Sequence, residues 1–239
     1  MTTQAILFDY GGTLDTRGNH WGKVIWHAYQ RLAIPVSEVA YREAYVYAER
    51  TLGRNPIIRP SYTFKLTLDV KLRLQLQHLI AHHHWQPTSR ELKEVHKSLL
   101  DVLYGDTRQI VAESREVLKR LADHYSLALV SNFYGNLHTV LHEMHLDDLF
   151  PIVIESAVVG VRKPDARIFQ LAIDALGVSP SHCLVVGDSM GKDIVPANTL
   201  GCATVWHRGE GWTDTPVDES LPTYIIDSLE ELEKYIVKG

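Results

Sequence analysis

The stretch Ala5-Ile6-Leu7-Phe8-Asp9-Tyr10-Gly11-Gly12-Thr13-Leu14-Asp15 decides the fold. Its unbroken apolar run, Ala5 to Phe8, reads as a strand buried on both faces, the kind found in parallel sheets. Asp9 then stands at the strand's carboxyl end, and two glycines let the chain turn away at once. That end is where open α/β sheets bind ligands. Taken alone, an Asp after an apolar run is ordinarily a turn former.

Three later stretches change that reading, because each sets another apolar run ahead of a polar residue. Ala128-Leu129-Val130 precedes Ser131-Asn132, Ile152-Val153-Ile154 precedes a loop reaching Lys163-Pro164, and Leu184-Val185-Val186-Gly187 precedes Asp188. In that order and with those spacings the chain resembles the haloacid dehalogenase superfamily. The family's four motifs match as Asp9 with Thr13, then Ser131, then Lys163, then Asp188 with Asp193, and the resemblance covers nearly the whole chain. One position departs from it: most phosphatases of the family carry a second Asp two residues after the first, and here that place is Gly11.

The 239 residues can bury a sizeable core, either as one large α/β domain or as a core with an inserted subdomain. Met1-Thr2-Thr3-Gln4 runs straight into the first strand without a leader pattern, and no stretch is long enough to span a bilayer, so a cytoplasmic protein with no membrane partner is expected. The formal charge of −5 and the absence of a Lys/Arg run argue against a nucleic-acid partner. That field mildly repels an anionic phosphate, so attraction must come locally, from a cation and a lysine. Cys183 and Cys202 sit in apolar surroundings and read as buried, reduced thiols.

Along the chain, the strand pattern stops after Asp15, and helical periodicity holds until about Arg108. The expected organisation is a Rossmann-like parallel core, residues 1–15 and 108–239, with a helical cap inserted over 16–107. Within the cap, Val24, Ile25, Ala28 and Leu32 suggest a first helix. Ser37-Glu38 opens a second, Gly53-Arg54-Asn55-Pro56 breaks it, and Leu66 to Ala81 resumes. Pro87-Thr88-Ser89 reads as a stop and restart, and Thr107 to Leu121 as a helix leading back to the core. From Ser126 onward strands near 127–130, 152–154, 183–186, 203–206 and 223–226 alternate with helices at 137–144, 164–176 and 193–200, the signature of a parallel sheet. Pro164 has the placement of a helix's first turn, and Gly177 and Gly201 stand where helix ends want glycine.

The resemblance implies a Mg²⁺-dependent hydrolase of small phosphorylated molecules working through an aspartyl-phosphate. Asp9 is the nucleophile. Asp9, Asp188 and the backbone carbonyl of Gly11 match the metal ligands, and Asp193, which would otherwise be a first-turn helix acid, supports the metal directly or through water. Ser131, with Asn132 beside it, would hold phosphoryl oxygens, Lys163 would neutralise charge on Asp9 and the phosphoryl group, and Thr13 would orient the cluster. The missing second Asp ordinarily protonates the leaving oxygen and then activates water, a contribution of roughly 10²–10⁴ in rate. Substitutes on or beside the cap are Asp15, His20, Arg54, Arg59 and Lys65. Two rival readings use the same gap. A haloacid dehalogenase lacks the second Asp and the metal, but carries Tyr at the Gly11 position; a binding protein for a phosphometabolite or a partner would have largely lost hydrolysis. Three features are set aside: His82-His83-His84, whose consecutive side chains on a helix would point to different sides; Trp206-His207-Arg208, a strand end beside the site; and Tyr41, Tyr45 and Tyr47, read as packing.

Overall fold

A computed structural model describes residues 3–236. Six strands form one parallel sheet: β1 (Ala5–Phe8), β2 (Ser126–Ser131), β3 (Ile152–Glu155), β4 (Cys183–Gly187), β5 (Ala203–His207) and β6 (Tyr224–Ile226), in the spatial order β3-β2-β1-β4-β5-β6. The apolar runs sort by the two-residue period of a strand. Ile6, Phe8, Leu127, Leu129, Leu184 and Val186 face one core, while Ala5, Leu7, Ala128, Val130, Cys183 and Val185 face the other. Both faces are covered by helices, which explains why the central strands read as continuous apolar runs rather than alternating ones.

From β1 the chain steps outward through β2 and β3, then returns to the far side of β1 at β4 and steps outward the other way. The reversal between β1 and β4 is a topological switch point, where crossovers leave a crevice at the strands' carboxyl ends. Phe8 pairs with both Leu129 and Val186, and Asp9 N donates to Val186 O at 3.0 Å. Asp9, Ser131 and Asp188 therefore emerge side by side.

The helices between β1 and β2 are α1 (Trp21–Arg31), α2 (Glu38–Arg54), α3 (Phe64–Ala81) and α4 (Ser89–Ala122). Local chemistry starts each of them. The side chains of His20, Ser37 and Thr63 accept from the N–H of Gly22, Ala40 and Leu66, and Thr88 with Glu91 completes a capping box. Here the structure corrects one expectation: the helix restarting at Thr88 and the helix leading back to the core are a single 34-residue element. Exposed Gly105 lowers helix propensity but does not break the run. Arg108, expected near a connection, lies inside α4.

Beyond β2 come α5 (Leu137–Glu143), α6 (Ser156–Val159), α7 (Arg167–Leu176), α8 (Val195–Thr199) and α9 (Leu232–Ile236). Pro164 does not open a helix: Lys163–Pro164 is a cis peptide and α7 starts three residues later. Asp193 does not open one either, since it lies inside a π turn, Met190–Ile194, that leads into α8. Gly177 does cap α7 in the left-handed region, φ 68°. His82, His83 and His84 lie past the end of α3, not within it, and His83 has φ 59°. No helix among the described residues is long and apolar enough to cross a membrane.

Because α4 carries Val117, Leu118 and Leu121 onto the sheet, Leu118→Ala should lower stability by about 2–5 kcal/mol. Lys93→Ala, on the exposed face of the same helix, should stay within about 0.5 kcal/mol. Urea unfolding midpoints of the two variants check the contrast.

Candidate active site

Asp9, Asp188 and Asp193 each direct one carboxylate oxygen to a common point, these atoms lying within 4.8 Å of one another. Among the described residues this is the cluster whose geometry suits a metal ion. The buried Lys163 ammonium binds two of the three, 2.8 Å from Asp9 Oδ1 and 2.6 Å from Asp193 Oδ1. Burial alone would depress the Lys163 ammonium, but Asp193 and Asp9 hold it above the usual lysine range. One lysine cannot balance three carboxylates. Burial, with Asp193 and Asp9 beside it, pushes Asp188 well above the carboxylate range, and burial drives Asp193 up to about 6. The site therefore stores an unmet demand for positive charge.

Each motif residue is fixed by its neighbours. Thr13 Oγ1 donates to Asp188 Oδ1 (3.1 Å) and accepts from Asp188 N (2.9 Å), tying the loop after β1 to the end of β4. Asp193 Oδ2 accepts from Ser189 N at 3.0 Å, so both its oxygens already have protein partners. Trp206 Nε1 donates to Asp188 O at 2.8 Å, and His207 Nδ1 lies 3.2 Å from Thr13 O; the β5 end braces the site, as expected. The Ser131 hydroxyl lines the cavity and has no hydrogen-bond partner among the described residues. Asn132 is differently engaged: Nδ2 donates to Lys163 O (3.1 Å) and Oδ1 accepts from Lys163 N (2.9 Å). Its amide clamps the lysine's backbone, a positioning role.

Glycines make room for the carboxylates. A Cβ on Gly187 would collide with Asp193 Cβ, and one on Gly12, at φ 104°, would collide with Asp188 Oδ1. Gly11 is different: its Cβ would touch nothing nearer than Trp21 Cδ1 at 3.9 Å. Its carbonyl accepts no hydrogen bond from the described residues.

Of the five substitutes for the missing acid, two line the cavity, Asp15 and His20. Arg54 faces a separate surface groove between α2 and α3, and Arg59 and Lys65 line neither. Asp15 accepts from Gly12 N (2.7 Å) and Trp21 Nε1 (2.9 Å), and burial, outweighing those bonds, lifts it to about 7. His20 is pulled down to about 4 by burial, with Lys192 adding to the effect. It is a neutral helix cap near neutral pH. Sequence reasoning missed Glu49, Lys71 and Tyr134, which also line the cavity. Tyr45 does so too, so one of the three cap tyrosines does more than pack. Nothing in the local pattern marks these residues, since they come from α2, α3 and the loop after β2.

The haloacid dehalogenase-like hydrolase family model matches residues 3–201, and the chain belongs to that family of hydrolases. It is 33% identical to a glyceraldehyde 3-phosphate phosphatase of Pyrococcus furiosus over 90 residues, 37% of this chain and 38% of that one. A phosphoserine phosphatase of Thermus thermophilus is 36% identical over 105 residues, 44% and 40% of the two chains. The chain spans 38% to 55% of the length of the first curated relatives it matches. Among solved structures, the HAD-hydrolase YfnB of Bacillus subtilis, bound to magnesium, superposes with TM-score 0.62 at 19% identity over 99% of each chain, a likeness of fold.

The glycine geometry gives a paired test. Gly187→Ala should lower stability by about 1–3 kcal/mol, since backbone and a buried carboxylate must shift. Gly11→Ala should change it by less than about 1 kcal/mol. Guanidinium unfolding midpoints decide between them.

Proposed function

We propose that the protein hydrolyses small phosphorylated molecules through an aspartyl-phosphate on Asp9, with Mg²⁺ as cofactor. The observation that carries this reading is the convergence of three carboxylates that one lysine leaves under-neutralised. Oxygen donors of this kind suit Mg²⁺, which uses one or two carboxylates and keeps water and substrate oxygens for the rest. Asp9, Asp188 and the free carbonyl of Gly11 would hold it, with Asp193 supporting from behind because Lys163 and Ser189 N occupy its oxygens. When bound, the ion screens the phosphoryl group from Asp9 and stabilises charge in transfer. The phosphatase names of the two relatives support the substrate class.

Lys163 takes Asp9 Oδ1, and Oδ2 has no partner among the described residues. In the proposed reaction an Asp9 oxygen bonds to phosphorus as the bond from phosphorus to the leaving oxygen breaks. The Ser131 hydroxyl donates to a phosphoryl oxygen, and Lys163 neutralises charge on another. Water then attacks the aspartyl-phosphate and releases phosphate.

Asp15 is the group we assign to the proton transfers that Gly11 cannot perform. Trp21 Nε1 lies 4.0 Å from the Cβ that Gly11 lacks and 2.9 Å from Asp15 Oδ2. The Asp15 carboxylate thus approaches the same side of the cavity from four residues further along. Protonated, it gives a proton to the leaving oxygen; ionised, it accepts one from the attacking water. The dehalogenase reading fits less well, because it has no use for the carboxylate cluster. A pure binding protein would need neither Asp15 nor an unpartnered Asp9 oxygen.

Phosphate release from acetyl phosphate should require Mg²⁺, and Asp9→Asn should reduce it to background in a protein with unchanged circular dichroism. Full release in excess chelator, or by Asp9→Asn, would refute the mechanism. For Asp15, a general acid works protonated, so turnover of alkyl phosphate esters should fall as pH rises through about 7. Asp15→Asn should lower kcat/KM for esters by roughly 10²–10⁴ and remove that pH dependence, while kcat/KM for acyl phosphates, which reports the step whose leaving group needs no proton, falls far less. Equal losses of kcat/KM on both substrate types would count against Asp15.

A further inference from the structure

The cavity above Asp9 holds about 160 Å³. That is close to the roughly 150 Å³ cavity that accommodates one benzene molecule, and below the roughly 300–1,000 Å³ of drug-sized ligand sites. A bound phosphoryl group leaves space for only a few further atoms. The far end of this space carries a buried polar group that the phosphoryl chemistry does not use. Lys71 Nζ, on α3, lies 2.7 Å from Glu49 Oε1, on α2, and Tyr134 Oη donates to Glu49 Oε2 at 2.9 Å.

Glu49 Oε2 has a hydrogen-bond donor in Tyr134, while Oε1 meets Lys71 as an ion pair without a well-aligned hydrogen bond. The Lys71 ammonium has three N–H donors, and Glu49 is its one charged partner among the described residues. Beside it lie the Tyr134 hydroxyl and the rings of Tyr134 and Trp21, whose centroids are 5.4 Å and 6.0 Å away. Lys71 is buried and lines the cavity. With Glu49 and the Tyr134 hydroxyl on one side, an N–H remains for the cavity, and a buried donor is costly until an oxygen accepts from it.

Charge then selects the kind of oxygen. Glu49 already neutralises Lys71, so this end of the cavity offers donors without net positive charge. A substrate carboxylate bound there would lie against Glu49, and the repulsion of like charges would oppose its binding. A hydroxyl or carbonyl oxygen meets the same donors with no such conflict. The apolar remainder of the lining, including Trp21, Tyr45, Phe64 and Phe133, suits a short carbon chain.

Resting on the phosphatase reading above, we propose that the substrate is the phosphate ester of an uncharged hydroxy or carbonyl compound of about two to four carbons, a size set by the cavity. Lys71 Nζ donates to its remote oxygen, and Glu49 is the positioning residue that holds Lys71 and excludes carboxylates.

Glyceraldehyde 3-phosphate and 3-phosphoglycerate share a three-carbon chain and differ in an aldehyde against a carboxylate. With Mg²⁺ present, kcat/KM should favour the aldehyde by on the order of 10-fold or more. Glu49→Gln removes the repelling charge and leaves the cation, so the preference should shift toward 3-phosphoglycerate by a similar factor, mainly through a lower KM. Lys71→Met alone strands a buried carboxylate and risks unfolding; the double variant Lys71→Met/Glu49→Gln avoids that and should discriminate poorly between the two substrates. A wild-type preference for 3-phosphoglycerate, or an unchanged ratio in folded Glu49→Gln, overturns the proposal. Turnover of acetyl phosphate with neither three-carbon ester accepted also overturns it while leaving the phosphatase reading intact. No phosphate release from any of the three would remove both together.

Discussion

The Lys163 ammonium, held between Asp9 and Asp193, is the interaction on which the rest of the site depends. Three carboxylates brought together in a buried crevice repel one another and lose hydration, and a single buried cation offsets only part of that cost. The protein invests in placing this lysine. Asn132 clamps its backbone at both the N–H and the carbonyl, and Ser189 N fixes the carboxylate on its far side. What remains unbalanced lies between Asp9 and Asp188, at the mouth of the switch point. The charge deficit is therefore confined to the strand ends that line the cavity rather than spread through the site.

The sheet makes that placement possible. Parallel pairing of β1 with both β2 and β4 fixes Phe8 against Leu129 and Val186, so the residues just beyond the three strands share one edge. A register slip of one residue in any of them would turn its polar terminus to the other face. Gly12 and Gly187 then let the Asp188 and Asp193 side chains lie against the main chain at positions that a Cβ would forbid. Binding site and core are in this sense one design, because the apolar alternation that fills the two cores also sets the aim of Asp9 and Asp188.

This coupling explains how much could be read from the sequence. The strands and their parallel class were legible, since an apolar run is local in the chain; Asp9, Thr13, Lys163, Asp188 and Asp193 were picked out by the ordered motifs of the resemblance, and the structure brings them together. The caps at Ser37 and Thr88 were legible, like the strands, because they are local. The continuity of α4 was not: Gly105 weakens the helical pattern between the two stretches, and only packing onto both the sheet and the other helices tells one long helix from two. Nor was the start of α7, because a proline fits a helix's first turn but does not by itself start one, and the helix begins only at Arg167. Glu49, Lys71 and Tyr134 were invisible for a stronger reason. They come from three segments far apart in sequence and meet only when α2 and α3 pack over the loop after β2.

The same distinction bears on Gly11. In sequence it reads as a loss, since the carboxylate expected two residues after Asp9 is absent. In three dimensions the absence opens a space beside Trp21, and the indole N–H that borders this space is bound to Asp15. A side chain at position 11 is sterically admissible there, so no backbone constraint demands glycine. Asp15, by contrast, is tied at both oxygens to the loop it belongs to, and its burial keeps it near the point where it can hold or release a proton at neutral pH. A carboxylate on a short flexible tether would have to be oriented by substrate; one braced by Gly12 N and Trp21 Nε1 is oriented before substrate arrives. Preorganised donors and acceptors of this kind contribute most to transition-state stabilisation, so in the proposed mechanism Asp15 gives the proton carrier a firmer support than a side chain at position 11 would.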